Sequence, residues 1–414
     1  MSKLQPVRGT HDLLPDRARA FRRVADAART VAGRYGYHEM ATPIFEFSEV
    51  FKRTLGDTSD IVTKEMYTFT DRSGAEVTLR PEGTAGVARA VISGGLAQRM
   101  PLKYFYAGPM FRHERPQKGR LRQFHQIGVE LLGVGEPVGD VEVIALGAAI
   151  LEELGVAGQT VLELNTLGNT GSREAYRGVL VDYLEARRAE LSEDSVSRLA
   201  RNPLRILDSK NPGDRAVVAE APLLGDSLDD QSADFFASVR AGLDRLGIAY
   251  TLNPRLVRGL DYYCHTAFEF TTDALGAQGA VIAGGRYDGL VAQMGGPQTA
   301  GIGWAGGIER LSMLADEPDP PPRPIALVPV GPEAEAETLA LADRLRRAGL
   351  VIELGYRGNL KRRLSRADRL DARAAVILGE DELARDVATV RDLDSGDQEE
   401  VALSALADRL ALFS

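Results

Sequence analysis

A cluster of cationic residues lies between two apolar segments in the first third of the chain. Residues 103–133 read KYFYAGPMFRHERPQKGRLRQFHQIGVELLG, and the first apolar segment ends at Arg112. The loop that follows carries Arg115, Lys118, Arg120 and Arg122. The planar guanidinium fork matches phosphate geometry, so this loop favours a polyphosphate or a nucleic-acid backbone. A β-hairpin with a solvated, charged tip would show the same pattern, and this alternative stays open for the hairpin taken alone.

The second segment of this hairpin alternates between apolar and polar residues with the period of a β-strand. One face carries Ile127, Val129 and Leu131, and the other carries Gln126, Gly128 and Glu130. We expect the first face to pack in a hydrophobic core. The second face is predicted to form the floor of a polar pocket.

Residues 111–126, FRHERPQKGRLRQFHQ, resemble motif 2 of the class II aminoacyl-tRNA synthetases, in the form carried by the histidyl-tRNA synthetase family. Further segments are similar to the same family. They are VRGTHDLLP at 7–15, ATPIFEFSEVF at 41–51 (motif 1), LRPEGT at 79–84, NPLRILDSK at 202–210, LVRGLDYY at 256–263 and GIGWAGGIERL at 301–311 (motif 3). The resemblance therefore covers almost the whole chain.

The resemblance implies a two-step reaction. L-histidine attacks the α-phosphate of ATP to give histidyl-adenylate, and the terminal ribose hydroxyl of tRNA(His) then takes the histidyl group. Both steps build negative charge, which fixed cations stabilise. Arg112 and Arg258 match the family's catalytic arginines at the α-phosphate, Arg310 matches a γ-phosphate ligand, and Glu114 matches the adenine end of the site. ATP chemistry implies Mg²⁺ as well, but the sequence assigns no metal ligand.

The same resemblance implies a pocket for histidine. Glu130 and Tyr263 match the residues that satisfy the two imidazole nitrogens, and Glu82, Thr84 and Gln126 match those that face the α-amino group. Gly83, Tyr262 and Tyr287 complete the implied pocket. Core packing is the alternative explanation for the tyrosines.

Two basic segments are candidates for contact with tRNA. The motif 2 loop is implied to meet the acceptor end through Arg115, Gln117, Lys118, Arg120 and Arg122. A second segment, Lys361, Arg362 and Arg363 with Arg366 and Arg369, is a candidate for the phosphates of the anticodon stem. Asp368 and Asp371 are interspersed there, so a solvated helix face is an equal alternative.

Composition limits the function classes. The 414 residues are 44% hydrophobic and 26% charged with a net charge of -9, so any surface for nucleic acid must be a local patch. The single cysteine, Cys264, excludes an intramolecular disulfide and a Cys-rich zinc site, and we expect it to be buried. The chain shows neither a signal peptide nor an apolar run of membrane-spanning length, which predicts a cytoplasmic protein without a membrane partner.

The pattern of elements predicts an α+β catalytic domain over residues 1–320. It begins with an amphipathic helix at 16–35 that buries Phe21, Val24, Ala28 and Val31, and it continues with a helix at 141–155 and strands at 161–165, 267–272, 280–283 and 301–305. Residues 171–247 are predicted to form a helical insertion. The family resemblance implies an antiparallel sheet, and a homodimer formed through residues 41–51.

A proline-rich segment at 316–324 marks the clearest domain boundary, because proline neither continues a helix nor donates to a strand ladder. Strands at 325–330, 351–354 and 375–378 alternate with helices at 333–348 and 359–370, and a last helix is predicted near 400–412. Residues 325–414 are therefore predicted to form an α/β domain with a largely parallel sheet. The resemblance implies that this domain binds the anticodon.

Two other functions compete with tRNA charging. The regulatory subunit of ATP phosphoribosyltransferase is a synthetase-like protein that binds histidine without charging tRNA, and it should lack the C-terminal domain and show damaged motifs. This chain has both the segment after 325 and the arginines of the three motifs. A stand-alone nucleic-acid-binding module does not explain Glu82, Gln126, Glu130 and Tyr263 together.

Overall fold

The protein folds as two compact units, Met1–Pro318 and Asp319–Ser414, in the computed structural model. The division falls inside the proline-rich segment. The structure describes residues 3–55, 61–117, 119–209, 211–258, 262–276 and 279–413.

The first unit combines helices and strands along its whole length. Its helices are α1 (Pro15–Arg34), α2 (Ser48–Leu55), α3 (Thr84–Ser93), α4 (Pro137–Glu153), α5 (Thr170–Glu185), α6 (Glu193–Arg201), α7 (Pro212–Ala219), α8 (Asp230–Arg245), α9 (Leu290–Gln293) and α10 (Ile308–Leu314). Its strands are β1 (His38–Glu39), β2 (Phe45–Phe47), β3 (Tyr67–Thr70), β4 (Glu76–Leu79), β5 (Leu102–Phe111), β6 (Gln123–Leu132), β7 (Val161–Thr166), β8 (Thr251–Leu252), β9 (Cys264–Thr271), β10 (Ala280–Arg286) and β11 (Gly301–Gly307).

An eight-stranded sheet in the order β1-β5-β6-β11-β10-β9-β7-β8 forms the centre of this unit. Its six inner strands pair antiparallel, and only the short edge strands β1 and β8 pair parallel to their neighbours. The antiparallel sheet predicted for the catalytic domain is therefore confirmed. A separate three-stranded sheet has the order β2-β4-β3.

The predicted division of β6 into two faces is also confirmed. Ile127, Val129 and Leu131 are buried in one hydrophobic cluster with side chains of α1 and α4. The four apolar residues predicted for the first helix are all buried there, and Pro15 occupies its first turn. The opposite face of the sheet is thereby left for the polar residues of β6.

The helices α5 to α8 form one continuous block between β7 and β8. Val239 and Leu243 of α8 pack in the first hydrophobic cluster. Buried side chains of α5 and α7, among them Tyr176, Leu180 and Val217, belong to a second hydrophobic cluster. That cluster also contains Tyr262, Tyr263 and Tyr287. The helical block therefore shares its core with residues that the sequence assigns to the histidine pocket.

The second unit has a mixed sheet in the order β13-β12-β14-β15-β16. Its strands are β12 (Ile325–Pro329), β13 (Ile352–Leu354), β14 (Ala374–Leu378), β15 (Val387–Asp392) and β16 (Gln398–Ala402). Its helices are α11 (Pro332–Arg347), α12 (Leu360–Arg369), α13 (Glu380–Ala384) and α14 (Leu406–Ala411). The first three strands are parallel, whereas β14, β15 and β16 pair antiparallel.

The prediction of a largely parallel sheet was therefore wrong for the last two strands, and the last helix begins later than predicted. A turn at 393–397 closes the hairpin of β15 and β16. Asp392 Oδ1 accepts from the backbone N–H of Asp394 at 2.8 Å and of Ser395 at 3.1 Å, and Gly396 takes a φ of 82°. This side-chain cap and the left-handed glycine reverse the chain direction. A strand therefore occupies the first part of the region in which the sequence predicted the last helix.

Candidate active site

A cavity of about 440 Å³ opens on the polar face of the large sheet. It brings together residues from α3, β6, α10, the motif 2 loop and the segment before β9. The residues predicted for the site that line it are Glu82, Thr84, Arg112, Glu114, Arg120, Gln126, Arg258, Tyr262, Tyr263 and Arg310. These positions span more than two hundred residues of sequence, and the strand order of the sheet is what makes them neighbours.

Two arginines of the cavity are oriented by backbone carbonyls. Arg112 Nε donates to Pro81 O at 2.9 Å, and its guanidinium lies 5.2 Å from the ring centroid of Phe124. Arg310 donates from Nε to Gly119 O at 3.2 Å and from Nη1 to Ala280 O at 2.5 Å.

Burial lowers the pKa of Arg310, and the nearby cations of Arg120 and Arg112 lower it further, whereas the carboxylates of Glu114 and Glu269 oppose this decrease. These two arginines disfavour the positive charge of Arg310 because like charges repel. A bound polyanion would relieve that repulsion. The cation cluster is thus arranged for a ligand with several negative charges.

Arg258 approaches the cavity from the segment that precedes β9. Its Nη1 donates to the carboxylate of Glu269, and its guanidinium lies 5.3 Å from the ring centroid of Tyr263. Sequence reasoning missed Glu269. The signal was present, because Glu269 stands between Phe268 and Phe270, which both pack in the core on the other face of β9.

Glu82 lies at the start of α3, where helix amides lack partners within the helix. Its carboxylate accepts from the backbone N–H of Thr84 at 2.7 Å and of Ala85 at 2.8 Å. Burial raises the pKa of Glu82, whereas these amides and Arg112 oppose that increase. Gln126 also lines the cavity, and its buried Oε1 has no hydrogen-bond partner among the described residues. Both acceptors therefore suit a ligand that carries N–H donors.

Glu130 lies one layer behind the cavity and does not line it. The side chain is completely buried, and its carboxylate accepts from Thr84 Oγ1 at 2.7 Å, from the hydroxyl of Tyr106 at 3.4 Å and from the hydroxyl of Tyr287. Burial raises the pKa of Glu130 to about 8, and the hydroxyl hydrogen bonds offset only part of that rise. Of these hydroxyls, that of Thr84 belongs to a residue that does line the cavity.

Sequence reasoning also missed Tyr106. The ring of this tyrosine explains why glycine stands at two nearby positions. A Cβ atom at Gly83 or at Gly128 would overlap the ring of Tyr106. Gly83 does not itself line the cavity, and it makes room for the tyrosine that reaches Glu130. Tyr287 likewise lies behind the cavity wall, with its ring 5.7 Å from that of Tyr262.

The residues predicted to meet the tRNA acceptor end divide into groups. Arg115, Gln117 and Arg120 line a hollow of about 540 Å³ together with Lys64 and His113. Arg120 also points toward Glu114, with 2.8 Å between its Nε and Glu114 Oε2.

Arg122 is held inside the protein fold instead. Its Nε donates to Glu114 O at 3.2 Å, and its backbone N–H donates to Gly9 O at 2.8 Å. The second of these contacts ties the segment VRGTHDLLP at 7–15 to the motif 2 loop. Lys118 lies outside the described residues.

The basic segment of the second unit forms one wall of a separate hollow on α12. Lys361, Arg362, Arg366 and Arg369 line it together with Arg357 and Tyr356. Arg363 does not belong to this surface, because it is buried and donates to Pro329 O and to the carboxylate of Glu335. Tyr356 was not predicted, and its side chain is 72% exposed with the guanidinium of Arg366 5.7 Å from its ring centroid.

The described part of the chain shows neither an exposed cysteine thiol nor a cluster of metal ligands. Cys264 is buried as expected, and burial raises the pKa of its thiol to about 12. No group of three or more His, Cys, Asp or Glu side chains in the described ranges is arranged to hold a metal ion. None of the helices in those ranges is long and apolar enough to cross a membrane.

Comparison with known proteins agrees with this arrangement. A family model described as histidyl-tRNA synthetase matches residues 9–311, and one described as an anticodon binding domain matches residues 325–411. The chain is 64% identical to the histidine–tRNA ligase of Rhodospirillum rubrum over 100% of both chains. It is 58% identical to that of Gluconacetobacter diazotrophicus, over 99% of each.

A solved structure gives the same answer for the fold. The apo histidyl-tRNA synthetase of S. aureus superimposes with a TM-score of 0.83 at 34% identity, covering 98% of this chain and 99% of that chain. The fold and the cavity thus define an aminoacyl-tRNA synthetase of class II. Within that class, the chain belongs to the histidyl-tRNA synthetase family.

Proposed function

We propose that this protein is a histidine–tRNA ligase. It activates L-histidine with ATP to form histidyl-adenylate, with release of pyrophosphate, and transfers the histidyl group to the 3′ end of tRNA(His), with release of AMP. The observation that carries the proposal is one cavity in which arginines of three motifs lie beside buried acceptors for N–H groups. The names of the full-length relatives support the same activity.

The arginines perform the first step by stabilising charge. Arg112 and Arg258 both line the cavity. They neutralise the charge that develops on the α-phosphate as the carboxylate of histidine attacks it. Arg310, at the start of α10, holds the γ-phosphate. No nucleophilic side chain is required, because the attacking group belongs to the substrate.

Mg²⁺ enters this proposal as an ion bound to ATP. The described residues contain no cluster that would cage a metal by itself, and Mg²⁺ usually keeps phosphate oxygens and water among its ligands. The ion neutralises the β- and γ-phosphates. Glu114 stays assigned to the adenine end of the site.

Histidine is recognised on the other side of the cavity. Glu82 faces the ammonium group. Gln126 Oε1 accepts a hydrogen bond from one of the N–H groups of this ammonium. Tyr263 and Glu130 act on the imidazole ring, with Thr84 between the Glu130 carboxylate and the cavity. An apolar amino acid would leave these buried groups unsatisfied, which can cost about 10⁴-fold in discrimination.

Two surfaces are assigned to tRNA(His). The hollow that contains Arg115, Gln117 and Arg120 receives the acceptor end. The surface of α12 with Tyr356 joins cations to an exposed aromatic ring, the combination that binds unpaired bases and their phosphates. Because tRNA charging serves translation, we place the protein in the cytoplasm.

A homodimer completes the proposal. Phe47 and Phe69, which are 64% and 49% exposed, both pair in register with Val77 and therefore share one face of the β2-β4-β3 sheet. An exposed aromatic face of this kind fits a subunit interface. Sedimentation should show a dimer for the wild type and a monomer for Phe47→Glu, and a wild-type monomer would contradict the assignment.

Pyrophosphate exchange measured with each of the twenty amino acids tests the function. We expect exchange with histidine alone, followed by charging of tRNA(His) with labelled histidine. Histidine binding without exchange would instead indicate the non-catalytic regulatory subunit. Two kinds of observation argue against that alternative. An anticodon-binding domain matches the second unit, and Arg112 and Arg258 are both present at the cavity.

A further inference from the structure

The helical block formed by α5 to α8 is hydrogen-bonded to the segment that carries Arg258 and Tyr263. Nothing in the proposed chemistry uses this block directly, since none of its described residues lines the cavity. Hydrogen bonds nevertheless join it to this segment on both sides of Arg258.

The first contact is made by Arg173, in the first turn of α5. Its Nη1 donates to Tyr263 O at 2.6 Å. The start of α5 is itself fixed, because Asn169 caps it by accepting from Ser172 N at 2.9 Å. Leu167 N also donates to His265 O at 2.6 Å, which attaches the approach to α5 to the beginning of β9. Arg173 therefore connects a rigid helix end to the backbone of a pocket residue.

The second contact lies on the other side of Arg258. Arg255 Nη2 donates to Ala219 O at 2.6 Å and to Ala221 O at 3.1 Å, at the end of α7. One residue further along the chain, Leu256 O accepts from Asn165 Nδ2 at 2.9 Å, which fixes the same segment to β7. The helical block and the sheet thus hold this segment together.

The block and this segment also share a cavity. It has a volume of about 110 Å³ and is lined both by Arg258 and Tyr263 and by Arg173, Asn202 and Arg205 of the block. Asn202 and Arg205 belong to the segment at 202–210, which the sequence marked as similar to the family without giving it a role. Because two of its residues line the same cavity as Arg258, the segment at 202–210 is in a position to support this arginine.

We propose that Arg173 and Arg255 are positioning residues, through which the helical block holds Arg258 and Tyr263 in the geometry needed for adenylate formation. This inference rests on the proposed histidine activation. It gives the helical block an indirect role in catalysis, although the described residues of the block do not line the cavity. A guanidinium must meet the α-phosphate closely in the transition state, and a displacement of about 1 Å can cost on the order of 10²-fold in rate.

The test is pyrophosphate exchange by the full-length protein, with Arg173→Ala, Arg173→Lys and a control. Arg173→Ala should lower kcat by roughly 10- to 10²-fold with little change in the KM for ATP. Arg173→Lys keeps one donor and should restore part of the rate. The matched control is Arg177→Ala, an exposed arginine one turn along α5, which should leave kcat unchanged.

A double-mutant cycle with Arg258→Ala separates positioning from general destabilisation. If Arg173 acts through Arg258, Arg173→Ala should have little further effect once Arg258 is alanine. Equal losses in both backgrounds, or an unchanged kcat in folded Arg173→Ala protein, would overturn the inference. If Arg173→Ala does not fold, the same cycle with Arg173→Lys and with Arg255→Lys decides by the same criterion. Histidine-dependent exchange by the wild type tests the proposed function separately.

Discussion

Replacing Glu130 with glutamine should stabilise the folded protein at high pH while impairing its use of histidine. Glu130 is completely buried, and among the described residues its carboxylate oxygens accept hydrogen bonds from hydroxyl groups alone. Burial raises its pKa from the ordinary value of 4.5 to about 8. Between these values the folded protein keeps a proton that the unfolded chain has released.

Proton linkage fixes the sign of the effect. Because the folded state binds more protons, stability is fully present below about pH 4.5 and is lost as pH rises through about 8. At about 1.36 kcal/mol per pH unit, the whole interval corresponds to at most roughly 5 kcal/mol. Glutamine does not titrate. The wild type should therefore lose stability relative to Glu130→Gln as the pH rises. The difference between their free energies of unfolding should increase by up to this amount from about pH 5 to pH 8.5.

Urea unfolding followed by tryptophan fluorescence measures this difference. Trp304 is the only tryptophan in the chain, it is buried on β11, and it pairs with Val129 beside Glu130. Tyr106→Phe is the matched control, because it removes one hydroxyl donor but keeps the titrating carboxyl. The control should retain the pH dependence that Glu130→Gln loses.

The functional arm of the same experiment uses the pH dependence of kcat/KM for histidine. If the ionised carboxylate favours a ring N–H of the substrate, kcat/KM should rise by up to about tenfold per pH unit below pH 8. Glu130→Gln should lower this constant and flatten its pH dependence. A stability difference that is the same at every pH would refute the buried titration. Equal effects on the KM of histidine and ATP would assign Glu130 to the scaffold.

Three further predictions concern other parts of the molecule. Arg258→Ala should slow adenylate formation by about 10² to 10³-fold while histidine binding stays close to normal, and wild-type-like exchange would contradict its role. Residues 1–318 alone should form adenylate but charge tRNA poorly, with a smaller salt dependence than the full chain; equal charging across a salt series would exclude an anticodon role for the second unit. Tyr356→Ala should raise the KM for tRNA by roughly 5- to 10²-fold, as expected for loss of one stacked base, whereas Tyr356→Phe should not.

The sequence predicted those features that depend on local periodicity. The alternation of β6 separated a core face from a polar face, and the spacing of apolar residues in α1 identified its buried side. In both cases each residue's environment is set by the element that carries it. Pattern alone is sufficient there, because a strand or helix repeats its orientation every few residues.

The remaining site residues depend on approaches between distant segments. Tyr106 reaches Glu130 only because Gly83 and Gly128 leave room for its ring, and this requires three separate segments to meet. Arg363 illustrates the opposite case, since it belongs to a basic run in sequence but is buried against Glu335 from another helix. Side-chain type and spacing do not contain this information.

The two buried carboxylates of the pocket show how such approaches determine chemistry. Burial raises the pKa of both, but Glu82 meets backbone amides and Arg112, whereas Glu130 meets hydroxyl groups. Amides at a helix N-terminus stabilise negative charge, so Glu82 is the better partner for a substrate ammonium. In the proposed assignment, Glu130 carries its charge at greater cost than Glu82 and gains most from a ring N–H that arrives with the substrate. Under that assignment, an amino acid without such a ring leaves this cost uncompensated, so discrimination begins in the layer behind the cavity wall.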